Sequence, residues 1–182
     1  MYRLPTDTAT IGCSCLWADR NQTPKGPEIC GFQALFFALL CYTSPVLKED
    51  LVLTGDMTAE LYISSDAPDT DFVVRVTDVD ENGRSIKLAD GLLSARYRNG
   101  FARSEFLQEG EIVCLKIRTT KLSNCFRKGH RIRVTVTSSA KNFIFPNSNT
   151  REGFASARTV VAHNRVYHGG LHASRLTVRV EP

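Results

Sequence analysis

From residue 57 onward, apolar and polar residues alternate in short runs with a period of two. Met57, Ala59, Leu61 and Ile63 alternate with Thr58, Glu60, Tyr62 and Ser64. Phe72, Val74 and Val76 repeat the pattern, as do Val113, Leu115 and Ile117. Ile132, Val134 and Val136 alternate with Arg133, Thr135 and Thr137, and Leu176, Val178 and Val180 close the series. This period places one face of each strand in a core and the other in water, as in antiparallel sheets. Asn82-Gly83 follows the Phe72 run and suits a hairpin turn, because both residues tolerate positive φ; the returning strand is Ile86 to Leu88. Further turn formers stand at Asp66-Ala67-Pro68-Asp69, Arg98-Asn99-Gly100, Glu109-Gly110, Lys128-Gly129 and Pro146-Asn147-Ser148-Asn149. No segment past residue 45 keeps a helical period for three turns. The pattern predicts an all-β jelly-roll sandwich of two antiparallel sheets. Its core is expected to hold Leu61, Ile63, Phe72, Val74, Leu115, Ile117, Val134, Val136, Leu176 and Val178.

The N-terminal fifth of the chain is different. Residues 1 to about 32 are rich in Thr, Pro, Gly and Cys and show no sustained period. Residues 33–43 are strongly apolar and read equally as a short helix or a buried strand. Ser44-Pro45 ends them, since the residue before proline is pushed out of helical geometry. The organisation expected is a lead-in or linker over 1–37, packing on the core, followed by one domain over 38–182.

Composition narrows the classes. Apolar residues make up 42% and charged residues 23% of 182 residues, a globular balance able to fill one core. The net charge of +4 is mild. Many arginines alternate with apolar residues, as Arg131, Arg133, Arg175 and Arg179 do, so they belong to solvated strand faces rather than a nucleic-acid-binding patch. The longest apolar run, Ala34 to Cys41, is far short of the roughly 20 residues of a membrane span. It also follows Glu28 too far into the chain for a secretory signal. No nucleic acid and no membrane are expected as partners, and the chain reads as cytoplasmic. Asn21-Gln22-Thr23 fits a glycosylation acceptor, which matters only in a secretory compartment.

Candidate chemistry is sparse. Gly12-Cys13-Ser14-Cys15-Leu16 approaches the Gly-x-Ser-x-Gly of a nucleophile elbow but lacks the final glycine and a following helix. His168 and His172 flank Gly169-Gly170, which breaks the helical spacing of a metal pair; His130 lies in a turn. Of six cysteines, Cys41 and Cys114 sit in strand-like apolar patterns and read as small hydrophobes. Cys13-x-Cys15 lacks the second pair of a structural zinc site. No catalytic residue, metal or cofactor is therefore expected. The most specific cluster is acidic: Asp66, Asp69 and Asp71, with Asp78 and Asp80 beyond. Such spacing suits either a cation of the calcium type or turns in which carboxylates bond backbone amides and pair with Arg75 or Arg96.

Three segments carry a family resemblance. The first runs from Leu61 to Phe72 (LYISSDAPDTDF), then through Val79–Ser85 (VDENGRS) to Leu88–Arg98 (LADGLLSARYR). The second is Asn124–Val134 (NCFRKGHRIRV), with Ser138-Ser139 close behind. The third is Val166-Tyr167-His168 followed by Ser174-Arg175-Leu176. Together they resemble the C-terminal domain of the X-Pro dipeptidyl-peptidase and cocaine-esterase-like (CocE/NonD) serine hydrolases, from about residue 38 to the end. Thr10-Ile11-Gly12 is similar to the segment joining that domain to the hydrolase part. The stretch Ala140–Pro146 and the apolar run 34–40 depart from the family pattern.

The resemblance implies a jelly roll of the galactose-binding-domain-like type beside an α/β-hydrolase domain that carries Ser, Asp and His. None of that triad maps onto this chain, which begins after the expected position of the catalytic histidine. A complete enzyme would cleave acyl esters, amides or Xaa-Pro peptide bonds; this chain is expected to be an accessory domain. The partner expected is an α/β-hydrolase domain or subunit, or a second copy, through Phe36 and Phe37, unless that run is core. Two rival readings are a free-standing carbohydrate- or ligand-binding jelly-roll module and an enzyme in its own right. For sugar stacking, Trp17, Tyr97, Phe101 and Phe106 are available but form no periodic stripe.

Overall fold

Strand β5 (Thr58–Ser65) organises half of the structure, because it is paired along both edges. The structure is a computed structural model that describes residues 2–3, 9–13, 39–140 and 143–179, the first two stretches as backbone only. In chain order the strands are β1 (Tyr2–Arg3), β2 (Ala9–Cys13), β3 (Leu39–Thr43), β4 (Leu51–Gly55), β5, β6 (Asp71–Val79), β7 (Ser85–Ser94), β8 (Val113–Arg118), β9 (Leu122–Phe126), β10 (Arg131–Thr137), β11 (Ala162–Tyr167) and β12 (Arg175–Thr177). All pairings between them are antiparallel. One edge of β5 meets β8; the other meets β12 near its start and β11 near its end. Strands β1 and β2 extend this first sheet beyond β12 and β11. The second sheet runs β3-β10-β6-β7, and β4 and β9 form a separate ribbon.

The two-residue period decides which side chains meet. Across the second sheet, Tyr42, Val134, Val76 and Ala89 share one row, and Leu40, Val136, Val74 and Gly91 the next. They face Ala59, Leu61 and Ile63 of β5, Leu115 and Ile117 of β8, and Val166 and Leu176. Nine of the ten residues expected in the core are buried, and Val178 is partly buried against them. The chain is an all-β antiparallel sandwich. The sheets approach closely at Gly91. A Cβ built there would lie 2.7 Å from the Arg118 carbonyl oxygen and 2.9 Å from Ile117 Cγ2.

Two ambiguities of the sequence are settled. Residues 39–43 are a strand whose inward positions are Leu40 and Tyr42. Cys41 therefore points outward and is exposed, which corrects its reading as a small core hydrophobe; a strand one residue out of phase reverses every side chain. The hairpin forms at the expected place but one residue earlier than Asn82-Gly83: Glu81 and Asn82 turn the chain, the Gly83 N–H donates to the Asp80 carbonyl at 3.0 Å, and only Gly83 of the pair takes a positive φ. Gly83 has φ of 82°, and Asp80 Oδ1 accepts the backbone N–H groups of Asn82 and Arg84 at 2.9 and 2.8 Å.

Register brings two long connections and a short one to one pole. Thr137 pairs with both Leu39 and Val73, Val73 with Leu92, and Asp71 with Ser94. In the first sheet, Asn164 pairs with Ser65 and Ala162 with Cys13. The connections 66–70, 95–112 and 138–161 thus leave the sandwich together. So do the end of β2 and the start of β3.

Candidate functional site

The pole is built on a buried polar network. Pro68 precedes Asp69, and the turn delivers Asp69 and Asp71 inward on either side of Thr70; all three are buried. Arg96 follows the end of β7 in a short 3-10 turn, Ala95–Tyr97. It binds Asp69 twice: its backbone N–H donates to Oδ1 at 2.9 Å and its Nε to Oδ2 at 2.7 Å. Its remaining guanidinium nitrogens donate to the carbonyls of Arg151, at 3.0 Å, and Thr150, at 2.9 Å. Asn147 Nδ2 donates to Asp69 Oδ2 at 2.7 Å and to Asp71 Oδ1 at 2.9 Å. One arginine and one amide therefore lock three connections together.

Local backbone choices make this possible. Asn149 has φ of 59°, a conformation that asparagine tolerates better than most residues. Its N–H donates to Asn147 Oδ1 at 2.9 Å, and its Nδ2 to the Val160 carbonyl at 2.8 Å. Gly153 has φ of 63°, and a Cβ there would come within 3.1 Å of Arg96 Nη2. Burial pushes the Asp71 carboxyl above its ordinary range, and the neighbouring Asp69 adds to this, while bonds from Ser94 and Asn147 oppose it.

Asp66 is separate from that network. It accepts the His163 backbone N–H at 2.7 Å and pairs with His163 Nδ1 at 2.6 Å. Burial works to raise its pKa, but the His163 bonds outweigh it and hold the carboxyl below the usual range. The three aspartates thus do not converge on one point, and no cluster of three or more His, Cys, Asp or Glu fit to hold a metal exists among the described residues. Asp78 pairs with His130, at 2.9 Å from Nδ1, and Asp80 caps the hairpin. Arg96 takes an aspartate of the cluster as its partner; Arg75 pairs instead with Asp90, at 2.7 Å.

The network carries aromatic residues outward. The Phe106 ring lies under two guanidinium groups, with Arg96 Cζ 5.1 Å and Arg151 Cζ 4.8 Å from its centroid, a favourable cation–π arrangement. Tyr97 and Phe101, which show no stripe in the sequence, are brought together with ring centroids 5.3 Å apart. Phe101 is 79% exposed, Phe154 84% and Phe145 86%. Trp17, Phe36 and Phe37 lie outside the described residues, as does Ser14 of the imperfect elbow.

A second, partly buried polar contact ties the two sheets. Tyr42 of β3 hydrogen-bonds through its hydroxyl to Nε2 of His168, just past β11, and the rings meet edge to face at 4.8 Å. Burial lowers the His168 pKa and raises that of Tyr42, where Cys41 adds to the rise. Asn164, fully buried on β11, donates to Thr70 Oγ1 and Ser138 Oγ, so it also spans both sheets. Sequence reasoning passed over Asn147, Asn164 and Tyr42. Asn147 was visible as a turn former, and nothing in its spacing pointed to Asp69, 78 residues away.

Comparison with known proteins places this arrangement in a family. The model of the X-Pro dipeptidyl-peptidase C-terminal non-catalytic domain matches residues 38–177. The chain belongs to this family. It is 37% identical over 147 residues to the cocaine esterase of a Rhodococcus species, covering 78% of this chain and 25% of that protein. It is 32% identical to a putative serine esterase of Mycobacterium bovis, covering 95% of this chain and 29% of that one. Among solved structures, an aminopeptidase from a marine sediment Thaumarchaeota archaeon superposes with a TM-score of 0.75 at 25% identity, over 79% of this chain and 26% of that one. An α-amino acid ester hydrolase shares the fold, with a TM-score of 0.74 at 24% identity over 79% of this chain and 25% of its own. The chain spans about a quarter of the length of these relatives. In them, this non-catalytic domain is part of a larger hydrolase.

Proposed function

We propose that this domain supports the catalytic part of a serine hydrolase that cleaves acyl ester, amide or Xaa-Pro peptide bonds. The observation that carries the reading is the match of residues 38–177 to a non-catalytic C-terminal domain whose relatives are about four times as long. The sandwich supplies a rigid frame, and the pole supplies long, braced loops, the usual division between scaffold and function. The galactose-binding-like type of jelly roll fits the two antiparallel sheets. Asp69 and Asp71 act here as a brace rather than as cation ligands, because Arg96 and Asn147 already occupy their oxygens. The apolar run with Phe36 and Phe37 is part of the contact with the catalytic part. A cytoplasmic setting goes with the free thiols of Cys41, Cys114 and Cys125; no helix among the described residues is long and apolar enough to cross a membrane.

The test is a chimaera in which this chain replaces the matching C-terminal quarter of the Rhodococcus cocaine esterase. Ester hydrolysis well above that of the truncated esterase alone is expected. A chimaera that folds yet is no more active than the truncated enzyme contradicts the reading.

A further inference from the structure

The chain carries the dipeptide Asn-Gly twice, and the structure sets both copies in similar turns. Asn82-Gly83 lies in the hairpin between β6 and β7, and Asn99-Gly100 follows the short 3-10 turn after β7. In both, the glycine has a positive φ, 82° at Gly83 and 117° at Gly100. In both, the glycine N–H donates at 3.0 Å to the carbonyl three residues back, Asp80 for Gly83 and Tyr97 for Gly100. All four residues are exposed, and a Cβ built on either glycine would meet nothing within 4 Å. The asparagine side chains differ. Asn99 Nδ2 donates to Glu105 Oε2 at 2.7 Å. Glu105 is itself anchored: its N–H donates to the Arg96 carbonyl at 2.9 Å, and its carbonyl oxygen accepts from Arg98 Nη1. The Glu105 carboxyl is held below the ordinary glutamate range, first of all by the Asn99 bond, so the acceptor is charged. The Asn82 carboxamide has no hydrogen-bond partner among the described residues. Its backbone N–H donates to Asp80 Oδ1 at 2.9 Å.

We propose that Asn82-Gly83 is a site of spontaneous deamidation and that Glu105 protects its twin, Asn99-Gly100. Glycine leaves the approach to its own nitrogen open, because it has no side chain. The Gly83 nitrogen gives its proton to hydroxide and attacks Asn82 Cγ. A new C–N bond closes a succinimide ring, the Cγ–Nδ2 bond breaks, and the departing nitrogen takes a proton from water and leaves as ammonia. Water then opens the ring at Cγ, giving aspartate, or at the backbone carbonyl, giving an isoaspartyl linkage in which the chain runs through the side chain. Asn82 can turn its Cγ toward the nitrogen without giving up a side-chain bond. Asn99 must first leave a charged acceptor. The product puts a new carboxylate next to Glu81, whose side chain lies against Gly129 of the neighbouring turn. The isoaspartyl form also lengthens the hairpin inside the loop that the Asp80 N–H closes on the Arg84 carbonyl at 2.9 Å. This chemistry is independent of the supporting role proposed above.

Ageing the 182-residue chain in mildly alkaline heavy-oxygen water, followed by peptide mass spectrometry, reads both sites at once. Heavy oxygen should enter the Asn82 peptide about threefold faster than the Asn99 peptide or more, a factor within the worth of one hydrogen bond. An isoaspartyl methyltransferase should label the aged wild type more strongly than the aged Asn82→Ser variant. In Glu105→Ala, the Asn99 peptide should approach the rate of the Asn82 peptide, whose own rate stays unchanged. Equal rates at the two sites in the wild type, or a faster Asn99, overturns the proposal. An Asn99 rate that Glu105→Ala leaves unaltered overturns the protective role of Glu105.

Discussion

Arg96 holds Asp69 by two bonds from two different parts of itself, its backbone N–H at 2.9 Å and its Nε at 2.7 Å. Both side chains are nearly sealed from water, with relative exposures of 11% and 1%. Breaking a buried ion pair from one side strands the other charge. Arg96→Ala should therefore destabilise the chain by about 3–5 kcal/mol, read from urea unfolding. Arg96→Lys should recover only part of this, because an ammonium cannot reach Asp69 and the Thr150 and Arg151 carbonyls together. A variant with wild-type stability would show that the brace is not structural.

The same network makes a prediction about cations. Asp69 and Asp71 already accept bonds from Arg96 and Asn147, and Asp66 is turned to His163. Adding millimolar calcium to the chelator-treated chain should leave its melting temperature unchanged. A saturable rise with calcium, abolished by Asp69→Asn, would restore the cation reading.

Gly91 tests the packing of the two sheets. A methyl group there would press on the Arg118 carbonyl and Ile117 Cγ2, and neither backbone nor core can yield freely. Gly91→Ala should cost about 1–3 kcal/mol, the range of overpacking in cores. An unchanged urea midpoint would mean that the sheets stand farther apart than described.

His168 gives the fold a pH dependence of known sign. Burial lowers its pKa below the ordinary histidine value, so in the window just below that value the unfolded chain binds more protons than the folded one. Its contribution is complete above the ordinary value and is lost as the pH falls toward the folded one. Asp71, whose pKa is raised, works the other way in a window that begins near the ordinary aspartate value. The difference in stability between wild type and His168→Gln, followed from pH 8 to 5, isolates the histidine. It should narrow on acidification; a constant difference would contradict the buried neutral histidine.

What the sequence revealed follows from the range of its signals. The strands were legible because alternation is local: Leu61, Ile63, Val134 and Val136 announce their face within a few residues. The phase of β3 was not, because Leu39-Leu40-Cys41-Tyr42 is apolar throughout, and only pairing with β10 decides that Cys41 faces out. The aspartate cluster was visible as a cluster but divided only by partners far along the chain: His163 for Asp66, Arg96 for Asp69, and Asn147 for both Asp69 and Asp71. Short polar side chains such as Asn147 and Asn164 look alike in a turn and in a core, so the residues that fix the pole carry no mark of it.

The family to which residues 38–177 match is a non-catalytic domain, so no catalytic centre is expected within this chain. Treating the purified 182-residue chain with a fluorophosphonate probe, alongside assays on p-nitrophenyl esters and Xaa-Pro amides, tests it most directly. No stoichiometric label and no hydrolysis above background are expected. Stoichiometric labelling of one serine, Ser14 foremost, together with turnover that its replacement by alanine abolishes, would contradict it.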